Sequence, residues 1–353
     1  MIGILTFIGT QSHGACLQAY ALKKKIAELG YEVSIIPYEC KKLKWEMEKR
    51  LPTCSGSLKN RVGRLIRYPV ILNRYEKFKS FEKEFLCPDE LSSTIDFSKY
   101  SRIIAGSDQI WNLEVTGNDY TFFLKDVRRQ NKATYAASLG AEAFPIEEEK
   151  RCLEMIDDIP IITVREKKLQ EYLEAKLPGR EIGLVLDPTQ LISSDEWARL
   201  ASNTPIIKRK YMFVHAPADN SETWKEIRSI AGKKNLEIVI LTNKIKGKRG
   251  CKSIFSADPF EYLNLIRFAD YVVTGSFHTL SFSLLFERDF LCTKSLIASR
   301  NSRLSSLLEI TGCCERVIPT DGGMVSIKYG EVRKRLEAER KHSITLLKRA
   351  CIG

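Results

Sequence analysis

The sequence predicts an α/β protein made of two Rossmann-like domains facing each other across a cleft. Three observations carry this. At 353 residues the chain exceeds what one ordinary core holds and suits two domains. Short β-rich apolar runs alternate with helix-patterned segments, the mark of parallel sheets covered by helices. A polar stretch, "SSDEWARLASNTPIIKRK", interrupts that alternation near 195–209 before a second series begins. The expected domains are therefore 1–200, 201–328 and a C-terminal helix, 329–353, packing back on the first domain.

The elements follow in order. "IGILTF" reads as a first strand, because it lacks the basic flank and cleavage site of a signal peptide. The helix "GACLQAYALKKKIAELG" sets Leu17, Ala21 and Leu22 on one face and ends at Gly30, and "YEVSIIPY" returns as a strand. After a basic segment come the strands "YSRIIAGSDQIWN" and "KATYAASLG", an acidic helix near 146–157, the strand "PIITVRE", the helix "KKLQEYLEAK" and the strand "IGLVLDPTQLI". The second series runs through the strand "YMFVHAP", a helix over 221–233, the strand "LEIVIL", the helix "DPFEYLNLIRFA", the strand "YVVTG" and a helix from Phe277. The strand "DFLCT" and a helix near 302–311 complete it, and "EVRKRLEAERKHSITLLKRA" reads as the charged C-terminal helix.

Composition narrows the function classes. No stretch approaches about 18 uninterrupted apolar residues, so no membrane span is expected. Ten cysteines without a CxxC pair fit neither a zinc site nor a secreted disulfide framework, which points to a reducing cytoplasm. The formal net charge of +12 calls for anionic partners, with nucleic acid, acidic phospholipid and phosphorylated small molecules as candidates. The excess is concentrated between Lys41 and Lys79, where twelve Lys or Arg face three Glu. Interleaved with Trp45, Leu51, Leu65, Ile66 and Tyr68, this insert reads either as a surface for anionic membrane or as a solvated helix pair. No HxH, HExxH or carboxylate cluster argues for a metal.

Three loops after predicted strands hold polar residues that chemistry could use. In "GTQSHGACLQ", Ser12, His13 and Gly14 open a helix, as an anion or acceptor site or as a plain N-cap and structural glycine. In "AGSDQIWN", Asp108, Gln109, Trp111 and Asn112 offer acceptors and an aromatic plate for a sugar; the other reading makes Asp108 a turn residue and Trp111 core. In "YVVTGSFHTLSFSLLF", Ser276 is the expected N-cap and His278 falls in the first helical turn, where it either meets an anionic ligand or bonds a neighbouring carbonyl. Arg165 in "TVREKK" and Arg300 and Arg303 in "SRNSRLSSLL" could fork a carboxylate or phosphate, although Glu166 could equally pair with Arg165.

Taken in order, "IGILTF", "HGACLQAYAL", "GSDQIWN", "SLG", "VRE", "DPT", "TGSFHTLSFSLLFERDF" and "RNSRLSSLL" resemble the polysaccharide pyruvyl transferase family up to about residue 312. The resemblance implies a GT-B-like fold and transfer of a pyruvyl group from phosphoenolpyruvate to a sugar of a surface or capsular polysaccharide precursor, forming a ketal. It implies phosphoenolpyruvate as co-substrate without a further cofactor or metal, a sugar or lipid-linked oligosaccharide acceptor, and no nucleic acid. The family's SFH-type motif falls on Ser276, Phe277 and His278, and its strand-end arginine on Arg165. Many relatives carry Arg where this chain has Ser276, which leaves Arg300 and Arg303 to complete the donor clamp beside Arg165, Ser276, Phe277 and His278. His278, Asp108 and Arg165 are then the expected catalytic residues, and Ser12, His13, Gly14, Asp108, Gln109, Trp111 and Asn112 the acceptor side. The expected location is cytoplasmic, peripheral to the inner face of the membrane through 41–79. The competing readings are a GT-B glycosyltransferase using a nucleotide sugar and a non-catalytic glycan-binding member.

Overall fold

The computed structural model describes residues 1–48, 58–87, 89–243, 247–293, 301–318 and 326–352, with backbone alone for 48 and 58–67. The strands are β1 (Ile2–Leu5), β2 (Val33–Ile35), β3 (Arg102–Ala105), β4 (Lys132–Thr134), β5 (Ile162–Val164), β6 (Ile182–Leu184), β7 (Tyr211–His215), β8 (Glu237–Leu241), β9 (Lys252–Ile254), β10 (Tyr271–Thr274), β11 (Phe290–Thr293) and β12 (Val317–Ile318). The helices are α1 (His13–Glu28), α2 (Lys41–Glu48), α3 (Leu58–Phe81), α4 (Leu113–Thr116), α5 (Ile146–Asp157), α6 (Lys167–Lys176), α7 (Ser194–Leu200), α8 (Ser221–Lys234), α9 (Pro259–Arg267), α10 (Phe277–Leu285), α11 (Ser302–Thr311) and α12 (Tyr329–Ile352).

The chain forms two compact units. The first comprises Met1–Tyr68, Phe78–Leu191 and Ala338–Gly353. Its strands β2-β1-β3-β4 are parallel, with Ile4 opposite both Ile35 and Ile104. Parallel bridges from Ala133 to Ile161 and from Ala137 to Val164 join β4 to the β5-β6 pair, which continues the order as 2-1-3-4-5-6. Every residue of "IGIL" and "RIIA" is buried, as strands covered on both faces must be. Leu5, Ile103, Trp111, Phe122, Phe123, Val164 and Leu173 share the core on one side of this sheet.

The second unit comprises Pro69–Lys77 and Ile192–Glu337. Its six strands are parallel in the order β12-β11-β10-β7-β8-β9, so the winding reverses between β7 and β10. Met212, Val214, Trp224, Ile227, Val273 and Leu291 pack together on one side of the sheet.

The unit boundaries differ from the expected 1–200, 201–328 and 329–353. The N-terminal part of the first unit runs to Leu191 and not to 200, because α7 belongs with the second: Trp197 is fully buried, with its ring edge-on to Phe282 at 5.2 Å between centroids. The basic insert is shared, since Pro69–Lys77 clusters with the second unit, where Lys77 pairs with Glu261. Helix α12 is shared as well. Tyr329 donates to the Arg288 carbonyl and Arg333 pairs with Glu287 in the second unit. Farther along, Ser343 accepts from the Leu186 N–H at 2.9 Å and Arg102 donates to the Ala350 carbonyl at 2.8 Å in the first. No described helix is long and apolar enough to cross a membrane.

Candidate active site

In parallel α/β sheets, ligands gather beyond the carboxyl ends of the strands where the winding reverses. In the first unit that point lies between β1 and β3. Gln18, inside α1, ties the two following loops together: its amide donates to Thr6 Oγ1 at 2.9 Å and its Oε1 accepts from the Ser107 N–H at 3.2 Å. Thr6 Oγ1 donates onward to the Ser107 carbonyl at 3.0 Å. Ser12 caps α1 by accepting from the Ala15 N–H at 3.3 Å, and Gly14 lies buried in the first turn. His13 is buried with its ring 4.9 Å from that of Phe78. Glu82 Oε1 accepts from the Thr10 N–H of the same loop at 3.2 Å and from the Cys16 thiol. Burial raises the Glu82 pKa to about 7, against the loop N–H groups and the thiol that lower it.

Arg165, at the end of β5, is closed into an ion-pair network. Its Nη2 donates to Asp108 Oδ1 at 3.0 Å, and its Nη1 to Ser107 Oγ at 3.2 Å and to Asp187 Oδ2. Only 1% of the Arg165 side chain is exposed, so an incoming anion would have to displace carboxylates already seated on the fork. Burial alone would lower its pKa, but Asp187, Asp108 and Glu166 outweigh that and hold it above the ordinary value. Glu166, whose charge also acts on Arg165, accepts from the Ser138 hydroxyl. Asp108 adopts φ +76°, and its Oδ1 also accepts from the following Gln109 N–H at 2.9 Å.

The rest of "GSDQIWN" makes contacts within the first unit. Trp111 is fully buried and stacked on Phe123 at 5.9 Å, so it cannot offer the plate expected for a sugar ring. Asn112 caps α4, accepting from the Glu114 and Val115 N–H groups. Gln109 Oε1 accepts from the Asn112 amide at 3.3 Å and passes so close to Gly140 that a Cβ there would sit 2.0 Å from it. The glycine of "SLG", at φ +62°, is required by that approach.

In the second unit the reversal falls between β7 and β10. Gly275 lets the two strand ends close, since a Cβ there would lie 2.4 Å from the Ala216 carbonyl oxygen. Thr274 Oγ1 donates to the His215 carbonyl at 2.9 Å and accepts from the Ser276 N–H at 2.9 Å. Ser276 caps α10, whose first turn carries no acidic residue. Thr279 Oγ1 joins His215 Nδ1 at 2.7 Å to the Tyr262 hydroxyl at 2.8 Å. His278 is 8% exposed in the same turn, its ring edge-on to Phe277 at 5.2 Å. Burial above all, then the charges of Arg74 and His278, push His215 down to a pKa of about 4. Arg303 lies half-buried in the first turn of α11, and Arg300 lies outside the described residues.

The structure thus gathers Asp108 and Arg165 in the first unit, and Ser276, Phe277 and His278 in the second. Sequence reasoning missed Asp187, His215 and Arg74. A signal existed for two of them: "DPT" and "YMFVHAP" both place a polar residue at a strand end. Arg74 gave none, being one cation among twelve. Among the described residues no cluster of His, Cys, Asp or Glu could hold a metal ion.

Comparison with known proteins agrees with this architecture. A putative UDP-N-acetylglucosamine 2-epimerase from Listeria monocytogenes superposes with a TM-score of 0.51 at 11% identity, covering 98% of this chain and 90% of its own. S. aureus MnaA, solved with UDP, gives a TM-score of 0.51 at 11% identity over 98% of this chain and 91% of its own. At this identity the likeness concerns the fold alone, an α/β fold of the GT-B kind. No curated protein sequence matches the chain. The family model described as polysaccharide pyruvyl transferase matches residues 13–293, from the first turn of α1 to the last residue of β11. The chain therefore belongs to the polysaccharide pyruvyl transferase family.

Proposed function

We propose that the protein transfers the pyruvyl group of phosphoenolpyruvate to two hydroxyls of a sugar in a surface-polysaccharide precursor, forming a ketal and releasing phosphate. The observation that carries this reading is the family match together with His278, set in the first turn of an uncompensated helix at the winding reversal of the second unit. An anion held there favours the imidazolium form, which can act as a general acid. In the first step a proton passes from His278 to the methylene carbon of the donor. A sugar oxygen bonds to the neighbouring carbon as its own proton leaves for a base. In the second step the carbon–phosphate oxygen bond breaks, a second hydroxyl takes that place and its proton leaves with phosphate.

The second unit's strand tip is the donor side in this reading, and Asp108 and the β1 loop of the first unit serve the acceptor. Arg165 then acts through Asp108, which it positions, and the donor's anionic groups fall to the second unit's own cations. Exposed Trp45 and Tyr68, set among the basic residues of 41–79, support peripheral contact with acidic lipid at the cytoplasmic face. Retention on acidic vesicles at low salt tests that contact, and its absence would remove it.

The decisive assay measures acceptor-dependent phosphate release from phosphoenolpyruvate, with His278→Gln as the control. The variant should fold with an unchanged melting temperature and lose about 10²–10⁴-fold in kcat. Full turnover by His278→Gln would remove the acid role. Stabilisation by a nucleotide sugar and not by phosphoenolpyruvate would favour glycosyl transfer instead.

A further inference from the structure

The basic insert sends one cation into the second unit. Residues Pro69–Lys77 of α3 cluster with that unit, and the attachment is specific. Lys77 pairs with Glu261 and donates to the Ser256 carbonyl. Glu261 belongs to α9, where it completes the capping box with Asp258. The next residue on α9, Tyr262, is the one whose hydroxyl meets Thr279, and Thr279 in turn meets His215. One turn before Lys77, Arg74 is 8% exposed and its Nη1 donates to Asn243 Oδ1, just beyond β8. The insert is therefore fixed on both sides of the strand tip that carries His215.

We propose that Arg74 is an anion-binding residue of the second unit, which together with the first turn of α10 and His278 takes the phosphate or carboxylate of the donor. The inference rests on the donor reading above. Arg74 and His278 are buried and His215 is half-buried at one end of one sheet, and the charges of Arg74 and His278 both act against protonation of His215. Burying cations together is costly in the empty protein. An anion among them turns that repulsion into attraction and gains the free N–H groups of α10. His215 would stay neutral, held by Thr279, while Arg74 supplies a planar fork that the N-cap residue Ser276 cannot.

The test uses the full chain, with phosphoenolpyruvate and inorganic phosphate as separate probes of melting temperature at low salt, and KM and kcat for phosphoenolpyruvate. Both anions should stabilise the native protein. Arg74→Gln should weaken phosphoenolpyruvate binding by about 10- to 100-fold, raising KM more than it lowers kcat. Arg74→Lys should restore part of the loss, and Asn243→Ala should show a smaller one. Turnover with native KM in both Arg74 variants would overturn the assignment and leave the proposed reaction standing. Stabilisation by phosphate that depends on Arg74, without consumption of phosphoenolpyruvate, would uphold the anion site and refute the donor. Failure of either anion to stabilise the native protein would overturn both. Should Arg74→Gln fail to fold, native KM values in Arg74→Lys and Asn243→Ala together would overturn the role of Arg74.

Discussion

The strand tips of the two units handle charge in opposite ways. In the first, Arg165 sits between Asp108 and Asp187, and Glu82 is driven toward its neutral form. In the second, a neutral histidine, a threonine and a tyrosine share hydrogen bonds beside Arg74 and His278, around a helix start without an acid. The first arrangement already seats carboxylates on its buried cation, so the fork of Arg165 is occupied. In the second, the charges of Arg74 and His278 both act against protonation of His215. The difference is the ground on which the proposed donor is placed at the second unit's strand tip.

The comparison is most exposed at Arg165. Arg165→Met leaves two buried carboxylates facing each other, and should destabilise the protein by about 3–5 kcal/mol in urea unfolding. If stability held while only the KM for phosphoenolpyruvate rose, Arg165 would be a donor clamp after all, and the contrast between the units would fail.

Glu82 gives the next largest effect. Its folded pKa of about 7 lies above the ordinary 4.5, so the folded state binds the extra proton between those values. Its contribution to stability is fully present below pH 4.5 and is lost as pH rises through 7, by up to roughly 3 kcal/mol at about 1.4 kcal/mol per pKa unit. Glu82→Gln should flatten the decline in the urea midpoint between pH 5 and pH 8. An unchanged decline would show that Glu82 ionises as readily in the folded protein as in the unfolded chain.

Thr279 sharpens the contrast at the smallest scale. Thr279→Val strips the partner from His215 Nδ1 and the Tyr262 hydroxyl and should cost about 1–2 kcal/mol. If the pair positions α10 for the donor, kcat/KM should fall by more than that stability loss explains. A purely structural pair would leave kcat/KM unchanged once the protein is folded.

The legible part of the site was its local part. Ser12 and Ser276 sit at helix starts because their oxygens satisfy backbone N–H groups three residues on, a relation that spacing alone reveals, whereas the same role of Asn112 emerged only from the structure. Trp111 was ambiguous for a physical reason: an indole in a strand-end loop fits a sugar or a core equally well until the neighbours above it are known. Here Phe123 is that neighbour. Arg165 is legible as an ion-pairing residue but its partner is not, since Asp187 reaches it from a different strand end.

By itself the sequence determined the alternation of strands and helices, the caps, the glycine positions and the family, since each depends on residues near one another in the chain or on an ordered set of motifs. Only the tertiary structure decided which charges meet. Arg74 reaches Asn243 across 169 positions, and parallel strands bring Asp108, Arg165 and Asp187 together from three separate loops. Electrostatic energy depends on distance through space and on burial. Neither is written in sequence spacing, so which charged side chains lie beside opposite charge and which beside like charge is decided only once the chain has folded.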